Sequence, residues 1–261
     1  MNAQKLVDVN VNLSRWPFRR TPCDEIAPLV ERLRRSNVVE AWTGSLDGLF
    51  HRDVAGVNRR LAETCAETAG LLVPFGTVNP ALPDWREDLR RCHEEHHMPG
   101  IRLHPNYHGY RLDEPIFGEL LAAAEERGLI VQLAARMDDD RVQHPLLRVA
   151  DVELKLLADA LAARPKLRFV LLNAGRTLSS ADSMRLARET TACLEISMVE
   201  GVAGVERLID RYPADRVLFG SHLPLFNIES ALLKLRESDL SAEELAAIGE
   251  GNARRVMDLR S

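Results

Sequence analysis

The chain has 261 residues, 46% of them hydrophobic and 28% charged, which is enough to bury a sizeable core. Its net charge is −5, with both signs spread along the chain and no Lys/Arg run, so neither nucleic acid nor an anionic membrane is expected as a partner. No apolar run approaches the roughly 18 residues of a membrane span. Residues 1–5 lead straight into an apolar strand and not into a signal-peptide core. With Cys23, Cys65, Cys92 and Cys193 far apart and no Cys-x-x-Cys pair, reduced thiols in a cytoplasmic protein are expected.

Short apolar runs fall at 6–11, 38–43, 71–78, 100–103, 129–133, 167–172, 193–198 and 217–219. None shows the polar alternation of a half-exposed strand, as expected of parallel strands covered on both faces. Between them lie segments with apolar residues at three- and four-residue spacing, at 25–35, 53–69, 84–97, 116–127, 146–164, 180–189, 202–212 and 228–237. Gly128 stands where a helix C-cap belongs, and Ser241-Ala242-Glu243-Glu244 reads as a capping box that opens one more helix. Eight strand–helix pairs in about 250 residues predict a (β/α)8 TIM barrel with an additional C-terminal helix, forming one domain over 1–261.

In such a barrel the C-terminal strand ends face one shared pocket. In chain order those ends carry Asn10 and Asn12, Ser45, Asn79, His104, Gln132, Asn173, Ser197 and His222. Asn10 and Asn12 are two apart and project to one side of their strand. The following loops add Arg15, Trp16, Asn106, His108, Arg136 and Arg176. Amides and imidazoles at buried strand ends need partners, so they are expected to line a polar site. His93, His96 and His97 fall on an outer helix and are read as its solvated end, as is the acidic run 137–140 as a solvated loop.

The stretches Asp8-Val9-Asn10-Val11-Asn12, Gly100-Ile101-Arg102-Leu103-His104-Pro105, Arg216-Val217-Leu218-Phe219-Gly220-Ser221-His222-Leu223-Pro224 and Gly251-Asn252-Ala253-Arg254-Arg255 resemble the amidohydrolase superfamily, and within it the metal-dependent, hydrolase-like amidohydrolase-2 group. The resemblance runs from Asp8 to Met257. It implies metal ligands as His-x-His on strand one, His on strands five and six and Asp on strand eight. Here those positions hold Asn10 and Asn12, Gln132, Asn173 and His222. Arg102 stands nearest the strand-four position that bridges metals in some members, and a guanidinium donates to no metal. Amides are weak donors for zinc, so the expectation is a degenerate metal site and no cofactor, with divalent zinc as the runner-up.

Two functions follow as expectations. One is a hydrolase acting on a small ester, lactone or amide, with His222 as base, His104 or His108 as acid, and Asn10, Asn12, Arg15, Trp16, Asn106, Gln132, Arg136 and Asn173 binding substrate. The other is a catalytically inactive homologue that binds a small ligand or serves as a scaffold. A small-molecule partner is common to both, and oligomerisation is left open. If Arg15, Arg136 and Arg176 converge, they favour a carboxylate or phosphate.

Overall fold

The structure, a computed structural model, describes residues 4–139 and 141–258; Asp140 of the acidic run lies outside them. All eight expected strands form: β1 (Leu6–Leu13), β2 (Val38–Ser45), β3 (Leu72–Thr77), β4 (Gly100–Leu103), β5 (Ile130–Ala134), β6 (Phe169–Leu172), β7 (Cys193–Glu195) and β8 (Val217–Leu218). They pair in parallel in sequential order. The chain just beyond β8 closes on β1: the Val9 and Asn12 amides donate to the carbonyls of Phe219 (3.0 Å) and Leu223 (2.8 Å). The result is a (β/α)8 barrel.

The helices are α1 (Ile26–Arg35), α2 (Val54–Ala66), α3 (Trp85–Glu94), the single turn α4 (Pro105–His108), α5 (Pro115–Glu126), α6 (Leu157–Ala162), α7 (Ser180–Glu189), α8 (Gly204–Ile209) and α9 (Ile228–Arg236). A final stretch runs from α10 (Ala242–Ala246) through a π-helical turn into α11 (Asn252–Asp258). Gly128 closes α5 with φ of +59°. No helix among the described residues is long and apolar enough to cross a membrane.

One expected helix is largely absent, since 146–164 contains only α6. The Gln143 side chain holds both the amide and the carbonyl of Val149, and the Val152 amide donates to Ala135 O at 2.9 Å. The apolar residues Val152, Leu154 and Leu156 are in fact spaced by two, and side-chain and tertiary bonds draw the segment out.

Two apolar layers position the site. Ile101, Leu103, Val131, Leu133, Phe169 and Leu171 pack with helix residues such as Leu29, Leu33, Leu89 and Phe117, forming the layer between strands and helices. Val7, Val9, Trp42, Phe75, Ile130, Val170, Leu172 and Leu218 pack together inside the barrel, with Ala253 and Val256 of α11 covering one end. Along β1 the alternation slips: Val7 and Val9 belong to the inner layer, Val11 and Leu13 to the outer. The β1–β2 register shift between Asp8 and Val11 produces this slip, as a bulge does, and leaves Asn10 and Asn12 on the inner side.

The capping box at Ser241 is fully formed, with Ser241 Oγ accepting from the Glu244 amide and Glu244 Oε2 accepting from the Ser241 amide at 2.8 Å. Ser241→Ala is expected to cost about 1 kcal/mol and to lower the melting temperature by roughly 2–4 °C. An unchanged thermal melt would show that α10 and α11 do not belong to the cooperative unit.

Candidate functional site at the barrel mouth

A buried guanidinium stands at the centre of the barrel. Arg102 leaves β4 with 1% exposure, and its five N–H donors all find acceptors. Nε donates to Gln132 Oε1 (2.8 Å), Nη1 to Val11 O (2.8 Å) and Asn12 Oδ1 (2.9 Å), and Nη2 to Trp42 O (3.0 Å) and Val9 O (3.4 Å). Gly44 makes the room, since a Cβ there would lie 2.9 Å from Arg102 Cδ and Nη1. Burial pulls the guanidinium down to about 9, against the opposing pull of Asp8 and Glu195, and it stays charged at neutral pH.

Two carboxyl groups share the axis with this cation. Glu195 of β7 accepts from the backbone amides of Asn173 (2.6 Å) and Ser197 (2.6 Å), from Ser197 Oγ (2.7 Å) and from Asn10 Nδ2 (3.3 Å). Asn10 Nδ2 also reaches Asn173 Oδ1 at 2.7 Å. Asp8 Oδ1 accepts from the Asn10 and Ser221 amides, while its Oδ2 is buried without a hydrogen-bond partner among the described residues. Burial, with Glu195 nearby, raises the Asp8 carboxyl to about 7 despite those bonds. Neither carboxylate was singled out from the sequence. The available signal was an acidic residue inside an apolar run, as in Leu194-Glu195-Ile196, where a charge must have partners.

The structure brings Asn10, Asn12, Gln132, Asn173 and His222 together around Arg102 and Glu195. His222 is fully buried. Its Nε2 meets Met137 O at 2.8 Å and must donate there, so Nδ1 is the acceptor facing Asn12 Nδ2 at 3.4 Å. Burial holds this imidazole at about 4, hence neutral. Both His222 and Asn173 adopt left-handed backbone, with φ of +60° and +58°, a strained conformation for these residues at a strand end.

His104 and His108 lie beside each other, ring centroids 5.9 Å apart. His108 Nε2 donates to Gly48 O at 2.9 Å, and the Nδ1 atoms of both rings are buried without hydrogen-bond partners among the described residues. Burial holds both below the ordinary histidine range, and His108, Arg102 and His222 push His104 further down.

The remaining expected site residues lie away from the axis. Arg15 is more than half exposed and pairs with Glu25 at 2.7 Å. Trp16 packs edge-on against Phe18 (5.7 Å) and Tyr107 (6.4 Å) in an aromatic cover that includes Phe50. Asn106 Nδ2 donates to Ala150 O at 3.0 Å. Arg136 is buried beside Asp151 (3.2 Å) and lines a cleft of about 470 Å3 that also takes in Arg176 and Ser197, but not Arg15, Arg102, Glu195 or His222.

Residues 19–259 match the amidohydrolase family. No curated protein matches the chain in sequence. Among solved structures, an uncharacterised TIM-barrel protein from Bordetella bronchiseptica is 14% identical with a TM-score of 0.77, covering 98% of this chain and 99% of its own. A dihydroxybenzoic acid decarboxylase from Polaromonas, with bound manganese and 2-nitroresorcinol, is 16% identical with a TM-score of 0.76 over 99% and 98%. A 5-carboxyvanillate decarboxylase from Novosphingobium aromaticivorans, also with manganese, is 14% identical with a TM-score of 0.74 over 97% of each chain. At these identities the likeness is one of fold.

These structures correct the expectation of no cofactor. Two of the neighbours hold manganese, whereas that expectation rested on the donor strength of single positions in this one chain. The side chains at the axis nevertheless do not fit a divalent ion. Arg102 takes up Asn12 Oδ1 and Gln132 Oε1, the acceptors a cation would need, Asn173 Oδ1 accepts from Asn10 Nδ2 and Ser197 Oγ, and both ring nitrogens of His222 face protein partners. Among the described residues, no three His, Cys, Asp or Glu side chains gather as a metal site requires.

Removing Arg102 leaves several buried acceptors unpaired. Arg102→Met should therefore cost about 3–5 kcal/mol in urea denaturation, and Arg102→Lys should recover only part, because an ammonium has three donors in place of the five-donor fork. Full recovery with lysine would show that charge alone matters there.

Asp8 predicts a pH dependence. Its folded carboxyl holds a proton that the unfolded chain releases above about 4, so its contribution is complete below the unfolded value and declines as pH rises towards 7. Subtracting Asp8→Asn from wild type removes the opposite trend from His222, which lowers stability as pH falls from about 6.5 to about 4. The difference in unfolding free energy should fall by up to about 4 kcal/mol between pH 4 and 7. A difference independent of pH would place the Asp8 carboxyl in the ordinary range.

Proposed function

The chain belongs to the amidohydrolase family, and from that premise we propose that it is a small-ligand barrel whose axis serves structure and not turnover. One observation carries this reading: the groups best suited to chemistry on the axis are already engaged. Arg102 has no donor left for a developing oxyanion, and His222 has no ring nitrogen left to take a proton from water. An imidazole held near 4 is also a weak base at neutral pH. The net charge of −5 supports a small molecule and not nucleic acid or membrane as the partner.

A second reading, a hydrolase acting on a small ester, lactone or amide, is favoured by His104 and His108. Both rings have an Nδ1 that meets no partner among the described residues and so is not spent as the ring nitrogens of His222 are, while burial lowers all three imidazoles alike.

The two readings separate in one experiment. The protein is incubated, with and without added manganese or zinc, with esters, lactones and amides, and with the 2,6-dihydroxybenzoate and 5-carboxyvanillate that name the decarboxylases of similar fold. Binding is followed by calorimetry on the same compounds. Binding without turnover above buffer is the expected result. Turnover that falls at least about a hundredfold in His104→Asn would establish the enzyme, and a fall of that size in His222→Asn would overturn the structural role of the axis.

A further inference from the structure

We infer that the cleft of about 470 Å3 between the ends of β5–β7 and α9 is a binding site for an organic monocarboxylate with an apolar body. This rests on the small-ligand reading above and assigns its place and chemical class.

The cleft has two unlike walls. One carries Arg136, Arg176, Lys234 and Ser197, the other Phe226 and Leu233. Its size suits a ligand of one ring or a short chain. Of its four cations, Arg136 is matched by Asp151 and Arg141 by Asp139, which leaves Arg176 and Lys234 facing the cleft. The acids are also placed unevenly. Asp139 is taken by Arg141 at 2.6 Å and by Arg176 Nη1 at 3.2 Å, while Glu200 and Glu237 lie at the exposed rim.

What points to a ligand is unspent donor capacity. Arg176 uses only Nη1, towards Asp139 and Glu200; its Nε and Nη2 meet no acceptor among the described residues. Lys234 reaches back from α9 to the carbonyls of Ile196 (3.2 Å) and Ser197, which leaves its third N–H. Burial lowers this ammonium from its ordinary value, and a bound anion would oppose that shift. A guanidinium edge and an ammonium beside an apolar wall bind a carboxylate through charge-assisted hydrogen bonds and shelter its hydrocarbon part. The contrast with Arg102, whose donors are all consumed, separates a structural cation from a recognition cation in the same molecule.

The test uses phenylacetate and its neutral isostere phenylacetamide, titrated by calorimetry at constant ionic strength. Three variants are compared with wild type: Arg176→Gln, Lys234→Met and Leu233→Glu, the last at an exposed position where folding is undisturbed. Phenylacetate is expected to bind at least about tenfold more tightly than the amide, and each variant should weaken it by about tenfold or more, Arg176→Gln and Leu233→Glu with little change in melting temperature. Amide binding as tight as acid binding, or acid binding indifferent to both Arg176→Gln and Leu233→Glu, would overturn the carboxylate assignment and leave the small-ligand reading standing. Binding of neither compound overturns this inference, and the small-ligand reading falls with it only when the wider panel also shows no binding.

Discussion

A guanidinium inside a barrel is tolerable only where every N–H meets an acceptor, and Arg102 sets that condition for the residues around it. Three of its acceptors are backbone carbonyls, from Val9, Val11 and Trp42, so β1 and β2 must sit at fixed heights around it. The other two are side-chain amides, which accept without adding charge and turn their NH2 groups elsewhere: Gln132 to Val9 O, Asn12 to His222. An imidazole could not serve both ends while also binding an ion. The amides at the positions where the family resemblance implies metal ligands are therefore explained by the cation they surround. Neutral partners alone would leave its charge uncompensated, and Glu195, joined by Asp8 as that carboxyl ionises near pH 7, supplies the opposite sign.

The same condition accounts for the strained points. Asn173 and His222 hold left-handed backbone because each is committed in two directions, Asn173 between Glu195 and Arg136 O, His222 between Asn12 and Met137 O. Such conformations persist where the surroundings over-determine them. Outside the axis, Arg176 and Lys234 in the open cleft keep N–H groups that meet no acceptor among the described residues.

Much of this architecture was legible in the sequence. Parallel strands covered on both faces leave unbroken apolar runs, and all eight runs mark strands; Gly128 and Ser241 punctuate helices by local chemistry that needs no tertiary context. The convergence of Asn10, Asn12, Gln132, Asn173 and His222 followed from barrel geometry. What spacing could not convey was saturation. Whether a histidine at a strand end is free to accept a proton depends on Met137 O and Asn12, far away in sequence, and Arg102, placed from sequence only as a poor substitute at a metal-bridging position, shows its role once its five acceptors are counted. The segment 146–156 misled for a related reason: its apolar residues satisfy helical spacing loosely, and the bond from Val152 to Ala135 that extends it is long-range.

Gly44 and Arg102 carry an implication for sorting this family. A methyl group at position 44 would overlap the guanidinium, so the glycine and the arginine form an exclusive pair: the larger residue is admissible only where the smaller one is present. Gly220 stands in the same relation to Glu195, since its Cβ would come within 2.3 Å of the carboxylate. Acquiring this axis by single substitutions thus requires a definite order, the glycines before the charges, because the reverse order passes through a clash. In an alignment of amidohydrolase barrels, the four positions should co-vary as a block, and that block would mark the branch whose axial cation is covalently attached to the chain.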